Sequence, residues 1–102
     1  MVTIGEQIRN LRIGMGLPLR KVAAELDLDQ SILSKIERGE RKASKEQIIR
    51  IAQIFNVDEK ELLINFLSDK ILYDLINEEV ASEVLKVAEM KIAYRMKGRD
   101  GE

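Results

Sequence analysis

The sequence predicts an all-α protein of six helices, and three observations carry that prediction. Apolar residues recur at helical spacing from Ile4 to Ile92. Polar residues able to cap a helix stand ahead of these stripes, and Thr3, Ser44 and Asp58 are each followed three residues later by Glu or Gln. Gly14, Gly16, Gly39, Asn56 and Asn77 fall where the stripes should stop.

The first helix is expected over 3–15, with Thr3 and Glu6 as a capping box and Ile4, Ile8 and Leu11 as its buried stripe. Pro18 should open the second helix in its first turn, where a missing N–H is tolerated, ahead of the stripe Leu19, Val22, Ala23 and Leu26. After Asp27-Leu28-Asp29, the third helix is expected over 30–38. Asp29 should cap it through its carboxylate, Leu33 and Ile36 should point inward, and Gly39 should supply a left-handed stop. Ser44 with Gln47 forms a second box, Ala43 and Ile48 a weak hydrophobic staple, and Ile48, Ile51, Ala52 and Phe55 the stripe of a fourth helix ending at Asn56. Asp58 with Glu61, and Val57 opposite Leu62, start a fifth.

The fifth helix should run on well past residue 63, because Ile64, Leu67, Ile71, Leu72, Leu75 and Ile76 keep helical spacing. A sixth should begin with Glu78 and Glu79 in its first turn, where negative charge meets the positive end of the dipole. It would present Val80, Val84, Val87, Ala88 and Ile92 and end near Met96. The organisation expected is a domain over 1–63, a helical extension over 64–97 and a polar tail over 98–102.

Composition bounds the function. A chain of 102 residues, 45% hydrophobic and 34% charged, suits one ordinary soluble domain with a modest core. There is no cysteine and no histidine, so disulfide frameworks and the common zinc sites are excluded and the commonest general base is missing. Neither a cofactor nor an enzymatic activity is expected. Met1 to Asn10 lacks the basic start and apolar core of a secretion signal, and Leu62-Leu63-Ile64 is far short of the roughly 20 apolar residues that span a bilayer. A cytoplasmic protein without membrane contact is the expectation.

The net charge of −1 hides a split. Residues 1–50 hold ten Lys/Arg against seven Asp/Glu, and residues 51–102 hold seven against eleven, so the first half carries +3 and the second −4. Lys35, Arg38, Arg41, Lys42 and Lys45 crowd into eleven residues beside the third helix. Alone, such a run also fits a solvated charged face; next to a helix whose outward residues are Gln30, Ser31, Ser34 and Lys35, it is what contact with a DNA backbone requires.

These residues resemble the phage-repressor (Cro and lambda repressor, Xre-type) helix-turn-helix family. The matching pieces are Leu11-Arg12, Gly16-Leu17, Val22-Ala23, Leu33 to Gly39, Ile51-Ala52 and Val57 to Leu62, which together span roughly residues 4–63. The resemblance implies a five-helix lambda-repressor-like DNA-binding domain, here with an elongated helix 5 and a sixth C-terminal helix. Helix 3 would enter the major groove. By the same resemblance Gln30, Ser31, Ser34 and Lys35 are base-reading positions, Arg41, Lys42, Ser44 and Lys45 meet phosphates, and Arg12 and Glu37 form a structural ion pair. The chain departs from the family twice. Pro18 and Leu19 stand where a polar cap and a DNA-touching glutamine are usual, and Arg20 and Lys21 are then candidate substitute phosphate contacts. Asp27 stands where glycine is frequent, and aspartate tolerates the left-handed conformation better than most residues.

Ile32 has two readings, a thymine-methyl contact or a core position. Ser31 and Lys35, one turn apart, are also the spacing of a Ser-Lys nucleophile pair, but no oxyanion site accompanies them. The apolar stripe of the extension, Leu67, Ile71, Leu75, Val80, Val84 and Val87, points to a subunit interface, the alternative being packing within the chain. The function expected is a sequence-specific transcriptional regulator, a homodimeric repressor on a palindromic double-stranded operator. The alternatives are an antitoxin-type or restriction-modification controller-type regulator whose C-terminal helices bind a partner protein, and a protein-interaction module that no longer binds DNA.

Overall fold

Six of the predicted stretches form helices. The computed structural model describes the backbone of residues 1–100 and the side chains of residues 1–98. Its elements are α1 (Ile4–Gly14), α2 (Leu19–Glu25), α3 (Gln30–Glu37), α4 (Lys45–Phe55), α5 (Glu59–Leu75) and α6 (Ala81–Asp100), with no strand among the described residues.

The caps follow the sequence in part. Ser44 and Gln47 close a full box: Gln47 N–H donates to Ser44 Oγ at 3.1 Å and Ser44 N–H donates to Gln47 Oε1 at 2.9 Å. Thr3 Oγ1 accepts from Glu6 N–H at 3.2 Å, and Asp58 Oδ1 accepts from Lys60 N–H at 3.0 Å, one residue earlier than a box requires. Asp29 sits at the N-cap of α3 without a side-chain bond, because its backbone carbonyl takes the Ile32 and Leu33 N–H groups while its carboxylate stays in water. Pro18 occupies the N-cap of α2 rather than its first turn, since φ −74 with ψ 154 suits the ring and its carbonyl accepts from Lys21 N–H at 3.1 Å. Asn56 ends α4 in the left-handed region at φ 51.

The start of α6 lies later than expected. Residues 76–80 form a turn in which Glu78 N–H donates to the Leu75 carbonyl at 2.9 Å, so Glu78 and Glu79 precede the helix and Glu83 is the acid of its first turn. The helix also continues past Met96 to Asp100, which turns the first part of the expected tail helical; residues 101–102 lie outside the described residues.

The chain divides into two compact units, Met1–Lys70 and the segment from Ile71 onward. In the first, Ile8, Val22, Leu33, Ile48, Ile51 and Leu62 are fully buried, joined by Leu26, Ile36, Phe55 and Phe66. α3 packs on α1 and on α2, and α4 packs on α1. In the second unit every described side chain is exposed or half-buried, including Val84, Val87, Met90 and Tyr94 of α6.

The first unit reaches beyond residue 63 because of the face α5 turns inward. Its buried residues are Leu62, Phe66 and Asp69, whereas Ile64, Leu67, Ile71 and Leu72 of the longer apolar stripe are exposed. Two polar ties to α1 set that face. Asn65 Nδ2 donates to Gln7 Oε1 at 2.7 Å, and one turn on Asp69 Oδ2 accepts from the Ile4 N–H at 2.8 Å. Asp69, only 7% exposed, thereby pairs an orphan donor of the first turn of α1 and places negative charge at the positive end of its dipole.

Asp69→Ala should therefore destabilise the first unit by about 1–2 kcal/mol, the usual loss for an N-terminal cap, and Asp69→Asn, which keeps an acceptor, should recover part of it. Urea unfolding reads both, and a midpoint unmoved by the alanine variant would show that water replaces the carboxylate without loss.

Candidate nucleic-acid interface

The turn between α2 and α3 requires a left-handed residue, and Asp27 supplies it at φ 54. Leu28 N–H then donates to the Ala23 carbonyl at 2.9 Å, closing the end of α2. Arg50 of α4 reaches the same end: it donates from Nη2 to the Glu25 carbonyl, with its Nη1 3.6 Å from Asp27 Oδ2. A cation at the C-terminus of α2 complements the partial negative charge there. The turn is thus tied to α4 as well as to its own helix.

α3 inserts Leu33 and Ile36 into the core, and this sets which side faces out. Gln30, Ser31 and Lys35 are exposed and Ser34 is half-buried. Ile32 packs half-buried against the core, which favours the core reading over a thymine contact. Gly39 ends the helix at φ 76, and Glu40 N–H closes back on the Lys35 carbonyl at 2.8 Å. The chain then turns into an exposed segment bearing Arg41, Lys42, Ser44 and Lys45. Ser44 uses its amide and one lone pair of its hydroxyl oxygen in the α4 cap, and the hydroxyl proton takes no part in that cap. Arg20 and Lys21 are exposed in the first turn of α2.

Arg12 and Glu37 join α1 to the end of α3. Arg12 Nε donates to Glu37 Oε2 at 2.7 Å, Nη2 to Oε1 at 3.0 Å, and Nη1 to the Leu17 carbonyl at 2.9 Å. The side chains are 12% and 4% exposed. The hydrogen bonds to Glu37 raise the Arg12 guanidinium above its ordinary pKa against the opposing effect of burial. Every polar side-chain atom buried among the described residues has a partner.

Sequence reasoning missed the roles of four residues, one of which, Arg38, it had counted only as part of the basic run. Gly5 is buried where α1 crosses the end of α3, and a Cβ there would lie 2.4 Å from the Ile36 carbonyl oxygen. An interior glycine in a helical stripe was the available signal. Asp69 left only a charge inside an apolar stripe, and Arg50 left none. Arg38, at the C-cap of α3, donates from Nη1 to Ser34 Oγ at 2.6 Å and from Nε to Glu40 Oε2; its spacing of four from Ser34 was legible.

Among the described residues no cluster of His, Cys, Asp or Glu is arranged to hold a metal, and no helix is long and apolar enough to cross a membrane. A family model described as helix-turn-helix matches residues 8–62. Control protein C.BamHI of Bacillus amyloliquefaciens is 35% identical over 60 residues, 58% of this chain and 74% of that protein. The crystal structure of the restriction-modification controller protein C.AhdI from Aeromonas hydrophila is similar at a TM-score of 0.54 and 32% identity, over 58% of this chain and 89% of that one. The clp gene regulator ClgR from Corynebacterium glutamicum shares the fold over 97% of this chain and 92% of its own, with a TM-score of 0.57 and 20% identity.

Proposed function

Because the chain belongs to the helix-turn-helix family, we propose that it is a sequence-specific DNA-binding transcriptional regulator that acts as a homodimeric repressor on a palindromic operator. One observation carries this reading. A helix anchored by Leu33, Ile36 and a buried ion pair presents Gln30, Ser31 and Lys35 to solvent, directly ahead of the basic segment around Arg41, Lys42 and Lys45. In that arrangement Gln30, Ser31, Ser34 and Lys35 read base edges, and Arg20, Lys21, Arg41, Lys42, Ser44 and Lys45 meet phosphates.

The two classes of contact have different signatures. Gln30→Ala should lower affinity for the preferred site by about 1–3 kcal/mol and leave random DNA nearly unaffected, because glutamine can pair bidentately with adenine. Lys42→Ala should weaken every sequence alike and flatten the salt dependence by about one counterion. Fluorescence anisotropy on both DNAs at several salt concentrations reads this, and equal losses for Gln30→Ala on the two would remove the base-reading assignment.

Dimerisation is the second part of the proposal. Leu67, Ile71, Val80, Val84 and Val87 are exposed and Leu75 half-buried, an apolar content without a duty in the first unit. A symmetric dimer would bury them and set two recognition helices about 34 Å apart. The truncation that tests this ends after Lys70, because Asp69 caps α1 and must be kept. That truncated chain should be a folded monomer that binds half-sites weakly, as read by light scattering and anisotropy. Full-length protein that stays monomeric at high micromolar concentration would remove the dimer, and a truncated chain that still dimerises would place the interface elsewhere.

A controller role in a restriction-modification system is a specific form of the same reading. The likeness to C.BamHI and C.AhdI favours it. An effect of the protein on transcription from the promoter of an adjacent restriction gene is the test.

A further inference from the structure

We propose that Ser34 reads its base as a hydrogen-bond donor, that Arg38 sets this polarity, and that the base facing Ser34 and Lys35 is therefore a guanine. The inference rests on the placement of α3 in the major groove proposed above.

A serine hydroxyl carries one proton to donate and lone pairs to accept, so taken alone it does not distinguish a donor edge from an acceptor edge. In this structure the choice is biased before any DNA arrives. Arg38 Nη1 donates to Ser34 Oγ at 2.6 Å, and a cationic donor polarises the hydroxyl towards giving its own proton away. That proton is still available. Ser68 shows the alternative, since its hydroxyl is spent on the Asn65 carbonyl at 2.9 Å; Ser34 makes no such bond to the preceding turn among the described residues.

The guanidinium is itself held. Its Nε donates to Glu40 Oε2, so the two arms of one planar fork are fixed on a carboxylate and a hydroxyl. Glu40 is in turn placed by the C-terminal closure of α3, where its N–H donates to the Lys35 carbonyl at 2.8 Å. Arg38 in this role is a positioning residue that acts through Ser34.

The consequence is a division of labour along α3. Gln30 offers both a donor and an acceptor, and Ser31 keeps both options. One turn further on, Lys35 offers donors alone and Ser34, with one lone pair taken by Arg38, is biased towards donating. Guanine presents two acceptors in the major groove, N7 and O6, whereas adenine and cytosine each place an amino donor there. A donor-biased pair of side chains finds two acceptors on guanine, a single acceptor beside a methyl group on thymine, and an amino group facing a donor on adenine and cytosine.

The experiment is selection from random-sequence duplex DNA with four full-length proteins: wild type, Ser34→Ala, Arg38→Ala and Arg38→Lys. The wild type should select a motif, and Ser34→Ala should relax one position in it, a guanine, by about tenfold. Replacing that guanine with 7-deazaguanine or with adenine should reduce wild-type binding more than that of Ser34→Ala, in which Lys35 alone still faces the base. Arg38→Ala should relax the same position and also lower affinity for all DNA. Arg38→Lys keeps the charge without the fork, so it should relax the position while holding most of the general affinity; a residue acting through charge alone would show no such split.

A motif shared unchanged by wild type, Ser34→Ala and Arg38→Ala would overturn this inference while leaving the DNA-binding reading in place. A position relaxed by Ser34→Ala that calls for an amino donor would overturn it equally. Failure of the wild type to select any motif would overturn the reading on which it rests.

Discussion

Gly5→Ala is expected to destabilise the first unit by about 3 kcal/mol, although alanine is the better helix former by about 1 kcal/mol. The added Cβ would lie 2.4 Å from the Ile36 carbonyl oxygen and 2.7 Å from that of Glu37. Neither oxygen is the end of a flexible side chain. The Ile36 carbonyl accepts from Gly39 N–H at 3.1 Å in the closure of α3, and Glu37 is held by Arg12. Relief therefore requires α1 to move off α3 and open the contacts around Ile8, Leu33 and Ile36, all buried. At roughly 4–8 °C per kcal/mol for a domain of this size, the melting temperature should fall by more than about 10 °C. Gly14→Ala is the control. Nothing lies within 4 Å of its added methyl, so it should be neutral or slightly stabilising. Equal melts for the two variants would mean that the crossing of α1 and α3 is looser than its geometry states.

Arg12→Ala is expected to cost about 3–5 kcal/mol, the usual penalty for removing one partner of a buried pair. The Glu37 carboxylate, 4% exposed, would lose donors at 2.7 and 3.0 Å, and the Leu17 carbonyl would lose the donor at 2.9 Å that closes the end of α1 on the approach to α2. Arg12→Lys should recover only part, because an ammonium cannot serve three acceptors in the directions a planar fork does. Replacing both partners at once, Arg12→Met with Glu37→Leu, should be much milder than Arg12→Ala, since no charge is then left buried. Thermal and urea unfolding read all four proteins. A melt of Arg12→Ala unchanged from wild type would show the pair to be a surface contact, and equal losses in the single and double variants would assign the effect to packing.

The parts of the candidate interface that were legible are those that depend on neighbours in the chain. The Ser44–Gln47 box, the left-handed Asp27 and Gly39, and the inward Leu33 and Ile36 each follow from spacing and side-chain chemistry within one turn. The outward set Gln30, Ser31 and Lys35 follows by geometry once Leu33 and Ile36 point inward. Caps that compete with other partners read less well. Asp29 had the right chemistry for its position, yet its backbone carbonyl sufficed and the carboxylate stayed in water.

By itself the sequence determined the number of helices, their order, most of their boundaries and the family, because periodicity, caps and stops are local properties of a chain. Tertiary structure decided everything that needs two distant segments to meet. It turned α5 so that Leu62, Phe66 and Asp69 face inward in place of the longer apolar stripe, since the docked face depends on the ties to Gln7 and Ile4, 58 and 65 residues away in the chain. It gave Gly5 its importance through two carbonyl oxygens of another helix.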